Sequence, residues 1–337
     1  MKKFLIGSLV VILLVSAGGY LYVKDRTSAM DKTSKSITFI DVESGDNLTT
    51  IGEKLKEEKI IKDVKAFKLV AKIEGIDQIK AGSYIFSPAD TPKNILMDLS
   101  NGKSTRQLER VTIPEGFEAR EIAERLDAKG IVKESEFLEV FNNPDSIGLD
   151  EYPMLKGEKL DNLEGLLYPD TYFFPKNYPA KKVAKVMVDR FFKVYNDSFF
   201  EKQQELGLTL NEVVTMASII EREAVKDEER AIISGVFYNR LEIGMPLQSC
   251  ATVQYLLKER KPVLSGKDIQ IKSPYNTYKN KGLPPAPISS VGRKSLEAAL
   301  YPEKVDYLYF VAKGDGSHTF SKTYGEHMNA RKKNLGN

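Results

Sequence analysis

The chain has 337 residues, 42% of them hydrophobic, which is room for about two ordinary domains with packed cores. Fifty basic residues against forty-seven acidic ones leave a net charge of +3, too small for the basic footprint of a nucleic-acid-binding protein. A single cysteine, Cys250, forbids an intramolecular disulfide, and two histidines, His318 and His327, are too few for a zinc site of Cys and His, so neither metal nor cofactor is expected.

Lys2 and Lys3 precede an uncharged apolar stretch from Phe4 to Val23, after which Lys24 follows. At 1.5 Å per residue that stretch spans roughly the 30 Å of a bilayer core. A cleaved signal with "VSA" as its cleavage site is the competing reading, but a signal's apolar region is usually about 7 to 15 residues. Residues 1–23 are therefore expected to form an uncleaved single-pass anchor in the cell membrane. The leading lysines keep the N-terminus cytoplasmic and send the rest of the chain outside. Residues 24–37, "KDRTSAMDKTSKSI", are polar and aperiodic and read as a tether.

From Thr38, "ITFIDVESGDNLTTIGEKLKEEKIIKD" predicts a strand, a Ser-Gly-Asp turn and a helix with Leu48, Ile51 and Leu55 on one face. "VTIPEGFEAREIAERLDAKGIVKE" repeats the pattern about 71 positions later: Gly116 matches Gly45, Ile122 matches Ile51, Leu126 matches Leu55 and Lys133 matches Lys62. Phe137 matches Phe67 after a one-residue slip, which suggests a duplicated βα unit. Between the copies a helix is predicted from Thr91-Pro92 to just before Gly102.

Residues 143 to 180 are rich in turn signals, and Leu163, Leu166, Leu167, Tyr168, Tyr172, Phe173 and Phe174 cluster there around Pro169 and Asp170. Such a cluster suits either a core or a wall on which sugars stack. Helices follow from Lys181 to Leu241, then a turn and new start at "GMPLQSCATVQYLL", and a long proline-fixed loop at "SPYNTYKNKGLPPAPISS". The tail predicts a helix, the strands "DYLYFVA" and "SHTFS" joined as a hairpin, and a terminal helix. Short strands among many helices make the chain α+β.

The segment "MASIIEREA" raises a chemical question. Thr209 and Glu212 form a capping-box pattern, and the apolar residues from Val213 to Ile220 leave little polar face, so this helix is expected to be buried on most sides. Glu221 continues a buried stripe, whereas Glu223 lies about 200° away around the axis, so at most one of them faces a given cleft. A carboxyl at the end of such a helix meets desolvation and the negative end of the dipole, both favouring the protonated form that a general acid needs. A solvated helix end is the plain alternative.

"ASIIEREA", "GVFYNRLEIGMPLQS", "TVQY", "SPYNTY", "GLPPAPIS", "YLYFVA" and "HTFS", in this order, together with "EGLLYPDTYFFP", resemble the YceG-like family of endolytic murein transglycosylases. The segment "GDNLTTIGEKL" is similar to a LysM-type glycan-binding module. The resemblance implies a membrane anchor, a LysM-like α/β module over residues 38–107 and a mixed α+β catalytic domain over 108–337. It implies a bitopic envelope enzyme that cuts nascent peptidoglycan strands internally between N-acetylmuramic acid and N-acetylglucosamine, leaving 1,6-anhydro ends, and that works beside cell wall synthases. A tethered, non-catalytic glycan-binding scaffold for those synthases is the alternative.

The family's catalytic glutamate is expected at Glu221, acting first as acid on the glycosidic oxygen and then as base on the C6 hydroxyl. Gln248, Thr252, Tyr275, Asn276 and Tyr278 fall in family motifs and carry groups suited to a sugar cleft, though each could equally cap a loop or pack. This differs from ordinary glycoside hydrolysis, which uses two carboxylates, and the sequence offers no obvious paired acid. One departure stands in "LQSCAT": Cys250 and Ala251 occupy positions where relatives commonly carry Asp and Pro. A thiol protease is not expected, because nothing local sets a histidine against Cys250.

Overall fold

The computed structural model describes residues 22–34, 37–102, 108–257 and 259–335. The expected membrane anchor falls almost wholly outside them, and among the described residues no helix is long and apolar enough to cross a membrane. The chain divides into two units, Met1–Gln107 and Leu108–Asn337.

In the first unit β1 (Thr38–Val42) pairs antiparallel with β2 (Gly82–Phe86), Thr38 opposite Phe86 and Val42 opposite Gly82. Between them lie α1 (Leu48–Glu57) and α2 (Val64–Glu74), and α3 (Pro92–Asn101) follows β2. Local chemistry sets these boundaries. The Asn47 side chain accepts from the amides of Thr49 and Thr50, Asp63 accepts from Ala66, and Gly75 ends α2 in the left-handed conformation. α3 runs where the sequence places it, capped by Thr91, with Pro92 in its first turn and left-handed Gly102 after its last. Ile51, Leu55, Phe67, Phe86 and Leu99 close the core beneath the strand pair.

The second unit opens with the same plan. β3 (Glu109–Thr112) leads into α4 (Ala119–Ala128) and α5 (Glu134–Phe141), and β3 pairs antiparallel with β4 (Thr171–Phe174). Ile122, Leu126 and Phe137 are fully buried like their counterparts Ile51, Leu55 and Phe67. Gly45 and Gly116 both hold positive φ in the turn before the helix. The likeness continues into the returning strand. Tyr84 stacks on Phe86 and Tyr172 on Phe174, and each tyrosine hydroxyl donates to the carbonyl four residues back, Lys80 and Tyr168. The duplicated unit is thus a whole βααβ motif, larger than the βα unit legible in sequence, because the second strand is displaced by an insertion between α5 and β4.

After β4 come α6 (Ala180–Val194), α7 (Asp197–Glu205), α8 (Leu210–Glu223), α9 (Arg230–Glu242), the short α10 (Cys250–Tyr255) and α11 (Arg293–Leu300). β5 (Tyr309–Ala312) and β6 (His318–Ser321) form the expected antiparallel hairpin, and α12 (Tyr324–Leu335) ends the described chain. α8 begins at the predicted capping box, with Glu212 N–H donating to Thr209 Oγ1 and Thr209 N–H to Glu212 Oε2. Every residue from Val213 to Ile220 is buried. In the aromatic cluster Leu163, Leu166, Leu167, Tyr168, Tyr172 and Phe174 are buried, so it is core. Phe173 points out, 40% exposed, as strand alternation requires.

Candidate active site

α8 ends in Glu221, Arg222 and Glu223, which leave the helix in three directions. The apolar surroundings expected for Glu221 are absent. Its Oε1 accepts from Arg230 Nη1 at 3.1 Å and its Oε2 accepts from the Gly292 amide at 2.9 Å. Its side chain is 4% exposed, and that of Arg230 is 9% exposed. Arg230 is itself held by Ser295 Oγ at 2.7 Å and Asp227 Oδ1 at 3.1 Å. Glu221 therefore ties the end of α8 to the start of α9 and the start of α11, with both oxygens occupied. The correction has a simple cause: the partners come from segments 9 and 71 residues away, which periodicity along α8 cannot report.

A second acid lies beside this clip. A side chain at Gly292 would occupy the place of the Glu115 carboxyl, so glycine there lets the two segments approach. Glu115 is exposed overall, but desolvation of its carboxyl where it packs on Gly292, followed by the charge of Glu221, raises its pKa above the ordinary carboxylate value. Arg222 takes the third direction, donating from Nη1 to the Gly116 carbonyl at 3.0 Å.

Glu223 faces a cavity of about 470 Å³. Its carboxylate accepts from Ser249 Oγ at 2.5 Å, and Gln248, Cys250 and Tyr278 line the same wall. Ser249 is well braced. Its amide donates to Thr277 Oγ1 at 3.1 Å, its carbonyl accepts from Thr252 Oγ1 at 2.8 Å, and the two threonine hydroxyls bond each other at 2.9 Å. Gln248 takes φ +49°, a left-handed conformation unusual for a side-chain-bearing residue, and its amide donates to the Thr277 carbonyl at 3.1 Å. Backbone strain of this kind clusters at functional sites.

The residues singled out in the sequence thus part company. Gln248 and Tyr278 meet Glu223 at the cavity. Thr252 is fully buried and holds the Ser249 segment from behind. Asn276, also fully buried, donates to the carbonyls of Ile269 and Ile271 and accepts from the Tyr278 amide, which shapes the loop. Tyr275 packs on Tyr255, ring centroids 5.3 Å apart.

Other lining residues were not singled out in the sequence, although Tyr309 and Arg240 stand inside the motifs "YLYFVA" and "GVFYNRLEIGMPLQS". Tyr309, Tyr324, His327 and Arg331 contribute from the hairpin and α12, and Arg240 from α9. Arg240 is buried and fixed, donating from Nε to Leu308 O at 2.6 Å and from Nη1 to Leu247 O at 2.5 Å. Burial pushes its pKa down from the usual guanidinium value. The cavity does bring His318 and His327 to the same walls as Cys250. His318 is nevertheless engaged by Glu229 at 2.7 Å, and Cys250 Sγ pairs with the Tyr278 hydroxyl at 3.0 Å. Although Cys250 is exposed, desolvation of its thiol against the cavity wall, opposed by the Tyr278 hydrogen bond and helped by Glu223, pushes the thiol pKa up, the opposite of what a nucleophilic cysteine needs.

The arrangement is a lone carboxyl among hydroxyls, an amide, aromatic rings, two arginines and two histidines, with no group of metal-binding side chains among the described residues. The sequence model of the YceG-like family matches residues 40–333. The chain belongs to the YceG-like family. Among its relatives, the endolytic murein transglycosylase of Bacillus subtilis strain 168 is 35% identical over 95% of this chain and 91% of the relative. The endolytic murein transglycosylase of Streptococcus pneumoniae strain R6 is 32% identical over 98% of this chain and 66% of the longer relative. A 2.6 Å crystal structure of a YceG-like protein from Listeria monocytogenes is 36% identical and superposes with a TM-score of 0.61, covering 88% of this chain and 99% of the other. The YceG-like family match takes in both βααβ motifs, the α8 glutamates and the C-terminal hairpin.

Proposed function

We propose that this chain is an endolytic murein transglycosylase whose acid and base is Glu223. The observation carrying this reading is that Glu223 opens on the cavity shared with Gln248 and Tyr278, while both oxygens of Glu221 are occupied. The family resemblance suggests Glu221; the geometry moves the proposed acid two residues on and leaves Glu221 to hold the helix end in place.

In the proposed reaction the Glu223 carboxylic acid gives its proton to the oxygen between N-acetylmuramic acid and N-acetylglucosamine as the bond to C1 breaks. The C6 hydroxyl of the muramic acid closes on C1, and the Glu223 carboxylate takes its proton, so the acid is regenerated and no water is consumed. One carboxyl can perform both transfers. Ser249, donating to Glu223, steadies the carboxylate form between the two steps.

The finer parts of the reading are proposed with it. Residues 4–23 would anchor the protein in the membrane with Lys2 and Lys3 inside, placing the cavity where nascent strands and their synthases lie. The first unit would bind glycan as a LysM-like module, in the shallow groove between Asp46–Thr49 and Asp77–Ile79.

The test uses the full chain in detergent with nascent peptidoglycan and mass spectrometry of the released muropeptides. The wild type should release anhydro-ended products, Glu223→Gln should release none while staying folded, and Glu221→Gln should retain turnover. Hydrated reducing ends would refute the reaction type. Turnover surviving in Glu223→Gln and lost in a folded Glu221→Gln would return the role to Glu221, and no cleavage by the wild type would favour the scaffold.

A further inference from the structure

The cavity that Glu223 faces carries more positive charge than a neutral sugar requires. Arg240 and Arg331 both line the cavity against a single lining acid, Glu223, whose charge acts on Arg240, so Arg331 is the lining cation left without an acid. Arg240 is locked by two carbonyls and serves as a fixed positive charge at the base. Arg331 stands differently. It lies one turn after His327 on α12, is exposed, and makes no ion pair with the described residues.

His327 links the two cations. Its ring stacks on Tyr309 with centroids 5.3 Å apart, and its Nδ1 is buried without a hydrogen-bond partner among the described residues. Burial, then Arg240, then Arg331 push its pKa below the ordinary imidazole value, which favours the neutral ring. Tyr278 and Tyr324 line the cavity alongside, while the Tyr309 ring is taken up by His327 and by Arg240, 5.4 Å from its centroid.

An excess of positive charge inside a cleft concentrates and orients an anion. If the cavity is the murein cleft, as the proposed function holds, the sugars themselves offer none, because N-acetylglucosamine and the ring of N-acetylmuramic acid are uncharged. In the interior of a strand, where an endolytic enzyme cuts, the negative groups attached to muramic acid are carboxylates: those of the stem peptide, or the lactyl carboxylate where the stem has been removed.

We propose that Arg331, supported by the fixed charge of Arg240, binds a carboxylate carried by the muramic acid residue seated next to Glu223, and so determines which strands are accepted. The planar guanidinium suits a bidentate grip on a carboxylate, and its place on an exposed helix face lets it follow the substituent rather than the ring.

The experiment measures binding of soluble, end-labelled strands to the full chain in detergent carrying Glu223→Gln, which needs no turnover. Three strands are compared: stems with free carboxylates, the same strands with every carboxylate converted to amide, and strands stripped to the lactyl carboxylate. Amidation should weaken binding about tenfold, the loss expected for one partly exposed charge-assisted contact. Adding Arg331→Gln should bring that ratio close to one, and Arg331→Lys should restore part of it. Stripped strands that still depend on Arg331 would place the carboxylate on the lactyl group, and stripped strands that do not would place it on the stem. Equal binding of free and amidated strands, or an amidation effect that survives Arg331→Gln, would overturn the inference. Cleavage by the wild type tests the parent reading separately, since a chain that discriminates carboxylates without cutting loses the enzyme assignment and keeps this one.

Discussion

Replacing Glu164 by Gln should stabilise the second unit above neutral pH. Glu164 is 4% exposed; its Oε2 accepts from the Ala119 amide at 3.2 Å and the Tyr255 hydroxyl at 3.4 Å, while its Oε1 is buried without a partner among the described residues. Burial drives its pKa up to about 8, the Ala119 amide pulling the other way and the nearby Glu118 charge adding to the rise. Between an ordinary 4.5 and about 8 lie three and a half pH units, which at ~1.4 kcal/mol each amount to about 5 kcal/mol. The sign follows from proton counting. Below pH 4.5 folded and unfolded chains both carry the proton; between 4.5 and 8 the unfolded chain releases it and the folded chain keeps it, so stability falls as pH rises. Above 8 the full amount has been lost.

Gln mimics the protonated acid in shape and does not titrate. Urea unfolding followed by tyrosine fluorescence, at pH 5 and again at pH 8.5, should show the variant close to the wild type at the lower pH. At the higher pH it should be more stable, by up to about 5 kcal/mol and by less where the site relaxes on ionisation. Comparing variants at each pH cancels the contribution of the first unit. Parallel pH dependences for the two chains would refute the reasoning, since Glu164 would then be ionised in the folded protein.

Glu221→Ala should destabilise the second unit by about 3 kcal/mol, because it leaves the buried Arg230 with Asp227 as its sole acidic partner among the described residues; denaturant midpoints measure this. Gly165→Ala should cost about 2–4 kcal/mol and lower the melting temperature, because the position holds φ +81° and a Cβ would meet Val214 at 2.6 Å and Pro287 at 2.7 Å.

Much of the fold was legible because its causes are local. The capping box at Thr209 and Glu212, the Thr91-Pro92 start and Gly102 stop of α3, and the apolar spacing of Ile51 and Leu55 each depend on neighbours within a few residues. The duplication was visible in the same positions, though its second strand was not, since an insertion carried β4 out of register with β2. The site was legible only in part. Gln248 and Tyr278 reached the cavity, but Thr252 and Asn276 turned inward to brace it, and polar residue type alone cannot distinguish those roles.

The sequence by itself determined that Glu221 and Glu223 point apart, because 3.6 residues per turn fix the angle between any two positions of one helix. It could not determine which of them meets the cavity. A helix buried on every side has no polar face from which to read direction, so the choice waits for the segments packed against it. Arg230 and Gly292 close over Glu221, whereas Ser249, the hairpin and α12 leave Glu223 a space in which chemistry can occur.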